Sequence, residues 1–115
     1  MAYRTTKRDV EAAVVRLAVT LGYDVIASNN RMYKLAEEMG VTRSRWALSL
    51  DYNSAYGGYT VEVTTVGSDD KSRTHYLAGS GLSANRCSGR ELCDRIHFFE
   101  CALRLMEEKT KKEGE

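Results

Sequence analysis

Three tyrosines surround a pair of glycines in the middle of the chain, where two alternating segments meet. A tyrosine ring offers a flat apolar face with a polar tip, which suits stacking on a base or anchoring a protein partner. The glycines would let a ligand approach the backbone. Alternatively, Tyr52 and Tyr59 face the core and the glycines only form the turn, so Tyr56 at the tip is the strongest candidate. The candidate binding residues of this turn are Tyr52, Asn53, Tyr56, Gly57 and Gly58.

A second candidate site lies where the last helix is expected to begin. Exposed backbone amides at a helix N-terminus attract anions, and the guanidinium groups of nearby arginines would add bidentate hydrogen-bond donors. Ser88 and Glu91 have the spacing of a capping box, and a glycine-containing loop at 79–81 precedes them. This is neither a Walker loop nor a dinucleotide loop, so an ordinary capped helix is the alternative. The candidate residues are Arg86, Ser88 and Arg90.

Metal binding and catalysis find little support in the remaining residues. Cys93, His97 and Cys101 share one side of the last helix, but positions eight residues apart lie ~12 Å apart along the axis, too far for one ion. The chain has only two histidines, His75 and His97, so a Ser-His-acid site would require chance proximity. We predict a protein without enzymatic activity, catalytic residues, metal or cofactor.

Length and charge restrict the class of protein further. A chain of 115 residues is the size of one domain. The 17 Lys and Arg against 16 Asp and Glu give a formal charge of +1, without the basic excess typical of nucleic-acid binders. An odd count of three cysteines fits a reducing compartment. Because no apolar run is long enough to span a bilayer, we expect a cytoplasmic protein with no membrane contact.

Hydrophobic periodicity predicts the order of the elements. Alternation predicts an antiparallel hairpin, and helical spacing predicts helices at both ends of the chain. The predicted class is α+β, with a small antiparallel three-stranded sheet packed on one face by the N- and C-terminal helices. The domain spans 1–108, followed by a charged, disordered tail at 109–115. The predicted elements are helix 6–21, strand 23–27, helix 29–39, strands 45–52, 59–65 and 73–78, and helix 88–106.

The last predicted helix is apolar over an unusually wide arc. Besides a core-facing stripe, it carries Phe98 and Leu105 on its flank. Such a helix either lies between two layers or presents a flank to another chain. We therefore expect a homodimer with Phe98 and Leu105 at its interface.

The segment 46–106 resembles a group of small proteins encoded by tailed phages and prophages. The resemblance is carried by 50–59, a hairpin turn with the sequence Leu-Asp-Tyr-Asn-Ser-Ala-Tyr-Gly-Gly-Tyr, and by 88–92, the start of a capped C-terminal helix. It implies a phage context and transfers no active-site residue.

Two functions follow as expectations. The first is a non-enzymatic phage or prophage accessory protein that binds a host protein or a small anionic ligand in the host cytoplasm and counteracts a host defence. The alternative is a nucleic-acid-binding module, because the order of elements is similar to that of the double-stranded-RNA-binding domain. Those domains begin their final helix with lysines, whereas this chain has Arg90 and then Glu91, so nucleic acid is the less favoured partner.

Overall fold

A computed structural model describes residues 5–27, 29–66, 71–75 and 86–113 of the chain. This part of the chain contains three α-helices and four strands, in the order predicted from the sequence. The predicted strand residues 76–78 and the loop 79–81 lie outside the described residues. The elements are α1 (Lys7–Leu21), β1 (Asp24–Ile26), α2 (Asn30–Met39), β2 (Trp46–Asn53), a 3₁₀ turn (Ser54–Tyr56), β3 (Gly58–Val66), β4 (Ser72–His75) and α3 (Gly89–Glu113).

The sheet contains the three predicted antiparallel strands, β2, β3 and β4, and β1 as a fourth strand. β2 pairs with β3 in a hairpin whose register places Tyr52 opposite Tyr59, and β4 pairs antiparallel with β3. β1 adds a parallel edge beside β2, giving the order β1-β2-β3-β4. A parallel connection needs a crossover, which α2 supplies. The predicted α+β class is confirmed, and the small βα insertion becomes part of a mixed sheet.

A single core joins the helices to one side of the sheet. Apolar residues three or four positions apart on α1 and α3 pack against every second residue of β2 and β3. These spacings place the residues on one face of a helix and on one face of a strand. Each of these side chains is at most 1% exposed. They include Val10, Val14, Leu17, Leu48, Val61, Val63, Leu92 and Ile96.

A charged contact fixes α1 against α3. The guanidinium of Arg16 donates to both carboxylate oxygens of Glu100, from Nε at 3.2 Å and from Nη2 at 3.0 Å. Glu100 is 5% exposed, and burying its carboxylate would be costly without the bidentate hydrogen bonds from Arg16. The hydrogen bonds to Glu100 raise the pKa of Arg16. The pair therefore joins α1 to the middle of α3.

The C-terminal segment differs from the prediction of a disordered tail at 109–115. α3 continues to Glu113, so residues 109–113 are helical. Lysine and glutamate are good helix formers, and Glu107 and Glu108 each have a lysine four residues on. Lysines in the last turn also oppose the helix dipole. Across the described residues, no helix combines the length and apolar character needed to cross a bilayer.

Candidate functional site

The hairpin turn and the start of α3, two separate candidates in the sequence, lie side by side. The backbone N–H of Tyr59 donates to the carbonyl of Cys87 at 2.8 Å, and the N–H of Cys87 donates back at 3.0 Å. This isolated bridge continues the sheet by one residue pair onto the segment that leads into α3. The two candidate regions therefore form one surface.

Gly58 makes this close approach possible. Its φ is +114°, and a Cβ added there would lie 2.4 Å from the carbonyl oxygen of Cys87. Both the backbone angle and the lack of space require glycine. Sequence reasoning expected the glycines to admit a ligand to the backbone. At Gly58 the space is instead occupied by the chain itself.

Arg86 ties the two parts of the surface together. Its Nη1 donates to the carbonyl of Gly58 at 3.0 Å, and its Nη2 pairs with the carboxylate of Asp51. The Arg86 side chain is only 23% exposed. The donors of Arg86 therefore have partners within the chain, and its role as an anion-binding residue stays a prediction. The pair of Asp51 and Arg86 was not predictable, since nothing in the sequence relates two positions 35 residues apart.

The three tyrosines have different surroundings. Tyr52 and Tyr59 form a cross-strand ring pair with centroids 4.6 Å apart. Tyr59 is the half-buried member, and burial, together with the nearby Tyr52, raises its pKa. Tyr52 is 53% exposed and Tyr56 is 76% exposed. Of the two alternatives for this turn, core packing fits Tyr59, whereas Tyr52 and Tyr56 are available for contact.

Asn53 orders the backbone of the turn. Its Oδ1 accepts a hydrogen bond from the N–H of Ala55 at 3.0 Å and thereby caps the 3₁₀ turn that carries Tyr56. Gly57 then ends this turn with φ +105°. Asn53 and Gly57 therefore hold Tyr56 in place.

The first turn of α3 contributes a polar border. The Oγ of Ser88 accepts from the N–H of Glu91 at 3.2 Å, as the capping pattern predicts. The Glu91 carboxylate accepts from Arg95 at 3.2 Å. Gly89 allows the helix to start against α1, since a Cβ there would lie 2.9 Å from Val10. Ser88 and Arg90 are exposed.

We call the exposed side chains of Tyr52, Tyr56, Ser88 and Arg90 the turn–helix surface. A depression of about 390 Å³ lies between the hairpin turn and the start of α3, bordered by Tyr52 and Ser88 of this surface. The thiol of Cys87 contributes to its wall but is 4% exposed, and burial raises its pKa, so it is not an activated nucleophile. The residues lining the depression are Tyr52, Ser54, Gly57, Gly58, Tyr59, Cys87, Ser88 and Gly89.

A buried carboxylate between α1 and α2 was missed by sequence reasoning. Glu11 is 2% exposed and accepts hydrogen bonds from Asn29 Nδ2 at 3.0 Å and from Arg31. Burial alone would raise its pKa, but the bonds from Asn29 and Arg31 outweigh burial and lower it. A cleft of about 380 Å³ borders this group. The signal in the sequence was the apolar Val15, which lies four residues after Glu11 on the same helix face and outside the main apolar stripe of α1.

The Cys93, His97 and Cys101 stripe does not form a ligand cluster. Cys101 Sγ lies 3.7 Å from His97 Nε2. Burial raises the pKa of Cys93, which disfavours the thiolate that binds metals. Within the described residues, no three His, Cys, Asp or Glu side chains gather as a metal site.

Fold and surface together define a small α+β domain whose hairpin turn is docked on the start of its last helix. No protein-family model, curated protein or solved structure matches the chain.

Proposed function

We propose that this chain is a non-enzymatic accessory protein of a phage or prophage that binds a host protein through the turn–helix surface. The observation that supports this is the exposure of Tyr56, at 76%, on a turn held by backbone bonds and by Arg86. Exposed aromatic side chains on an ordered backbone lose little entropy on binding, which makes them effective anchors. Binding would take place in the host cytoplasm and counteract a host defence.

A protein partner is favoured over a small anionic ligand. The guanidinium of Arg86 is occupied by Asp51 and by the carbonyl of Gly58, and the Asn53 oxygen is occupied by Ala55. A small anion at this surface would therefore rely on the helix amides and on Arg90. A helix terminus with an exposed cation contributes only about 1 kcal/mol. Two exposed tyrosines suit a partner with an apolar surface better.

Nucleic-acid binding is the less favoured alternative. β1 and α2 lie between the first helix and the hairpin, which departs from the order of a double-stranded-RNA-binding domain. Of the two arginines proposed for phosphate contact, Arg86 is neutralised by Asp51. A nucleic-acid interface would show binding that weakens steeply with salt.

The proposal also includes a homodimer with Phe98 and Leu105 at its interface. Both side chains are exposed on α3, at 77% and 68%. Phe98 and Leu105 lie in later turns of α3 than Ser88 and Arg90, which belong to the turn–helix surface.

The test is a pull-down from bacterial host lysate followed by native mass spectrometry, with wild type, Tyr56→Ala and Tyr33→Ala. Tyr33 is a matched control because it is a tyrosine on α2 that is 51% exposed. We expect one host protein to be retained by wild type and by Tyr33→Ala, and to be lost with Tyr56→Ala. Retention by all three proteins, or by none, would contradict the proposal. Binding of inorganic phosphate or a mixed oligonucleotide in place of a protein would favour the small-anion or nucleic-acid alternative.

A further inference from the structure

α3 carries a second apolar stripe on the side opposite to its core face. With 3.6 residues per turn, Phe98 and Leu105 lie roughly 120–180° around the helix from Leu92 and Ile96, and Ala102 lies at the edge of this side, roughly 80–120° from them. Leu92 and Ile96 are fully buried, whereas Phe98 is 77% and Leu105 68% exposed. We call the opposite side the outer face of α3. Residues 104–112 are all exposed.

The charges along the outer face follow a definite order. Its first two turns are acidic, with Glu91 and Asp94, and its last two turns are basic, with Lys109 and Lys112. The apolar residues lie between them, and the small residues Cys101 and Ala102 lie at the centre. The face in order is Glu91, Asp94, Phe98, Cys101, Ala102, Leu105, Lys109 and Lys112.

When two outer faces run in opposite directions, the acidic residues of one face the basic residues of the other, and the apolar residues face each other. We infer that two copies of the chain pair through the outer faces of α3 in antiparallel orientation, with the two-fold axis between Cys101 and Ala102. Phe98 then faces Leu105 of the second copy, and each acidic end faces a basic end. The facing pairs on the outer face are Glu91 with Lys112, Asp94 with Lys109, Phe98 with Leu105 and Cys101 with Ala102.

Other arrangements lose this complementarity. Parallel pairing would place Asp94 against Asp94 and Lys109 against Lys109, which is repulsive. Sliding the antiparallel pair by two turns would place Phe98 against Lys112 in one direction, or Leu105 against Glu91 in the other. The charges and the apolar residues therefore agree on one register, and this agreement identifies a second copy of the chain as the partner.

The pairing deepens the homodimer proposed above by fixing its orientation. The first turns of the two α3 helices would lie at opposite ends of the pair, about 33 Å apart along the axis. The dimer would therefore present two turn–helix surfaces pointing away from each other, and a partner with two sites at that spacing would bind with avidity.

The test is sedimentation velocity of the full chain at low salt over a range of concentrations. Asp94→Lys and Lys109→Glu each reverse two facing pairs per dimer, so we expect each variant to dimerise about tenfold more weakly than wild type. The double variant Asp94→Lys/Lys109→Glu restores opposite charges, and we expect its dimer to regain wild-type strength. A mixture of the two single variants should form heterodimers. Lys111→Glu makes the same charge change off the outer face and serves as the control.

The possible outcomes test the antiparallel register and the existence of the homodimer separately. A dimer of equal strength in wild type and both single variants would overturn the antiparallel register and leave the homodimer intact. A monomer at every concentration would overturn both. Circular dichroism melts check that each variant is folded. Neither result bears on the host-protein proposal, because Tyr56 lies at the turn–helix surface and is tested by its own pull-down.

Discussion

Replacing Gly58 by alanine tests how firmly the hairpin turn is docked on α3. The added Cβ would lie 2.4 Å from the carbonyl oxygen of Cys87, which is backbone and cannot move aside as a side chain can. The substitution should therefore separate β3 from residues 86–88 and disturb both hydrogen bonds between Tyr59 and Cys87.

The expected loss of stability has two parts. A non-glycine residue at positive φ costs about 1–2 kcal/mol. The two backbone hydrogen bonds contribute about 0.5–1.5 kcal/mol each. Gly58→Ala should thus destabilise the fold by about 3 kcal/mol. Gly40→Ala measures the cost of positive φ without a steric clash, because Gly40 has φ +80° and nothing within 4 Å of an added Cβ. Its expected cost is about 1 kcal/mol.

The measurement is urea unfolding of wild type and both variants, monitored by circular dichroism. The midpoint should fall for both variants and fall further for Gly58→Ala, with an unchanged slope. Equal costs for the two variants would refute the close docking of turn and helix. The docking would also be refuted if Gly58→Ala were the milder change.

Three further predictions concern single side chains. The lowered pKa of Glu11 means that its contribution to stability is complete above the unfolded-state pKa and is lost as pH falls through the lower folded-state value. The stability of Glu11→Gln should therefore fall less steeply than that of wild type at acid pH. Acid unfolding of both proteins, followed by fluorescence, measures this difference. Tyr56→Ala should change the free energy of unfolding by less than about 0.5 kcal/mol, measured in urea, because Tyr56 is 76% exposed. Of the three thiols, Cys87 should react most slowly with a thiol reagent in native buffer, since it is buried and its pKa is raised; its labelling before Cys101 would contradict the structure.

The parts of the fold with strong periodicity were predictable from the sequence. Alternation over 45–52 and 59–65 identified the hairpin, and helical spacing with Thr6 and Ser88 as caps identified the starts of α1 and α3. Each of these elements buries one face, so its apolar residues recur at the spacing of a helix or of a strand, and that spacing is visible in the sequence.

Long-range pairings were not predictable. β1 has three residues, too few to show whether it pairs parallel or antiparallel, and its parallel pairing depends on the crossover through α2. The Asp51–Arg86 and Glu11–Arg31 pairs join residues that look like ordinary surface charges in the sequence. The charge of residues 109–113 indicates a disordered tail, whereas the helix propensity of their lysines and glutamate favours the helix that extends to Glu113.

Salt should separate the two proposed contacts of the protein. At the turn–helix surface, Asp51 neutralises Arg86, so tyrosine burial would supply most of the binding and added salt should weaken it little. The outer face of α3 depends on exposed charge pairs, which 0.5 M salt screens strongly. Raising the salt should therefore weaken the dimer while the chain keeps its host protein, as sedimentation of the purified complex would reveal. If the host protein were lost first, the attraction at the turn–helix surface would be mainly electrostatic, and the preference for a protein partner over a nucleic acid would no longer hold.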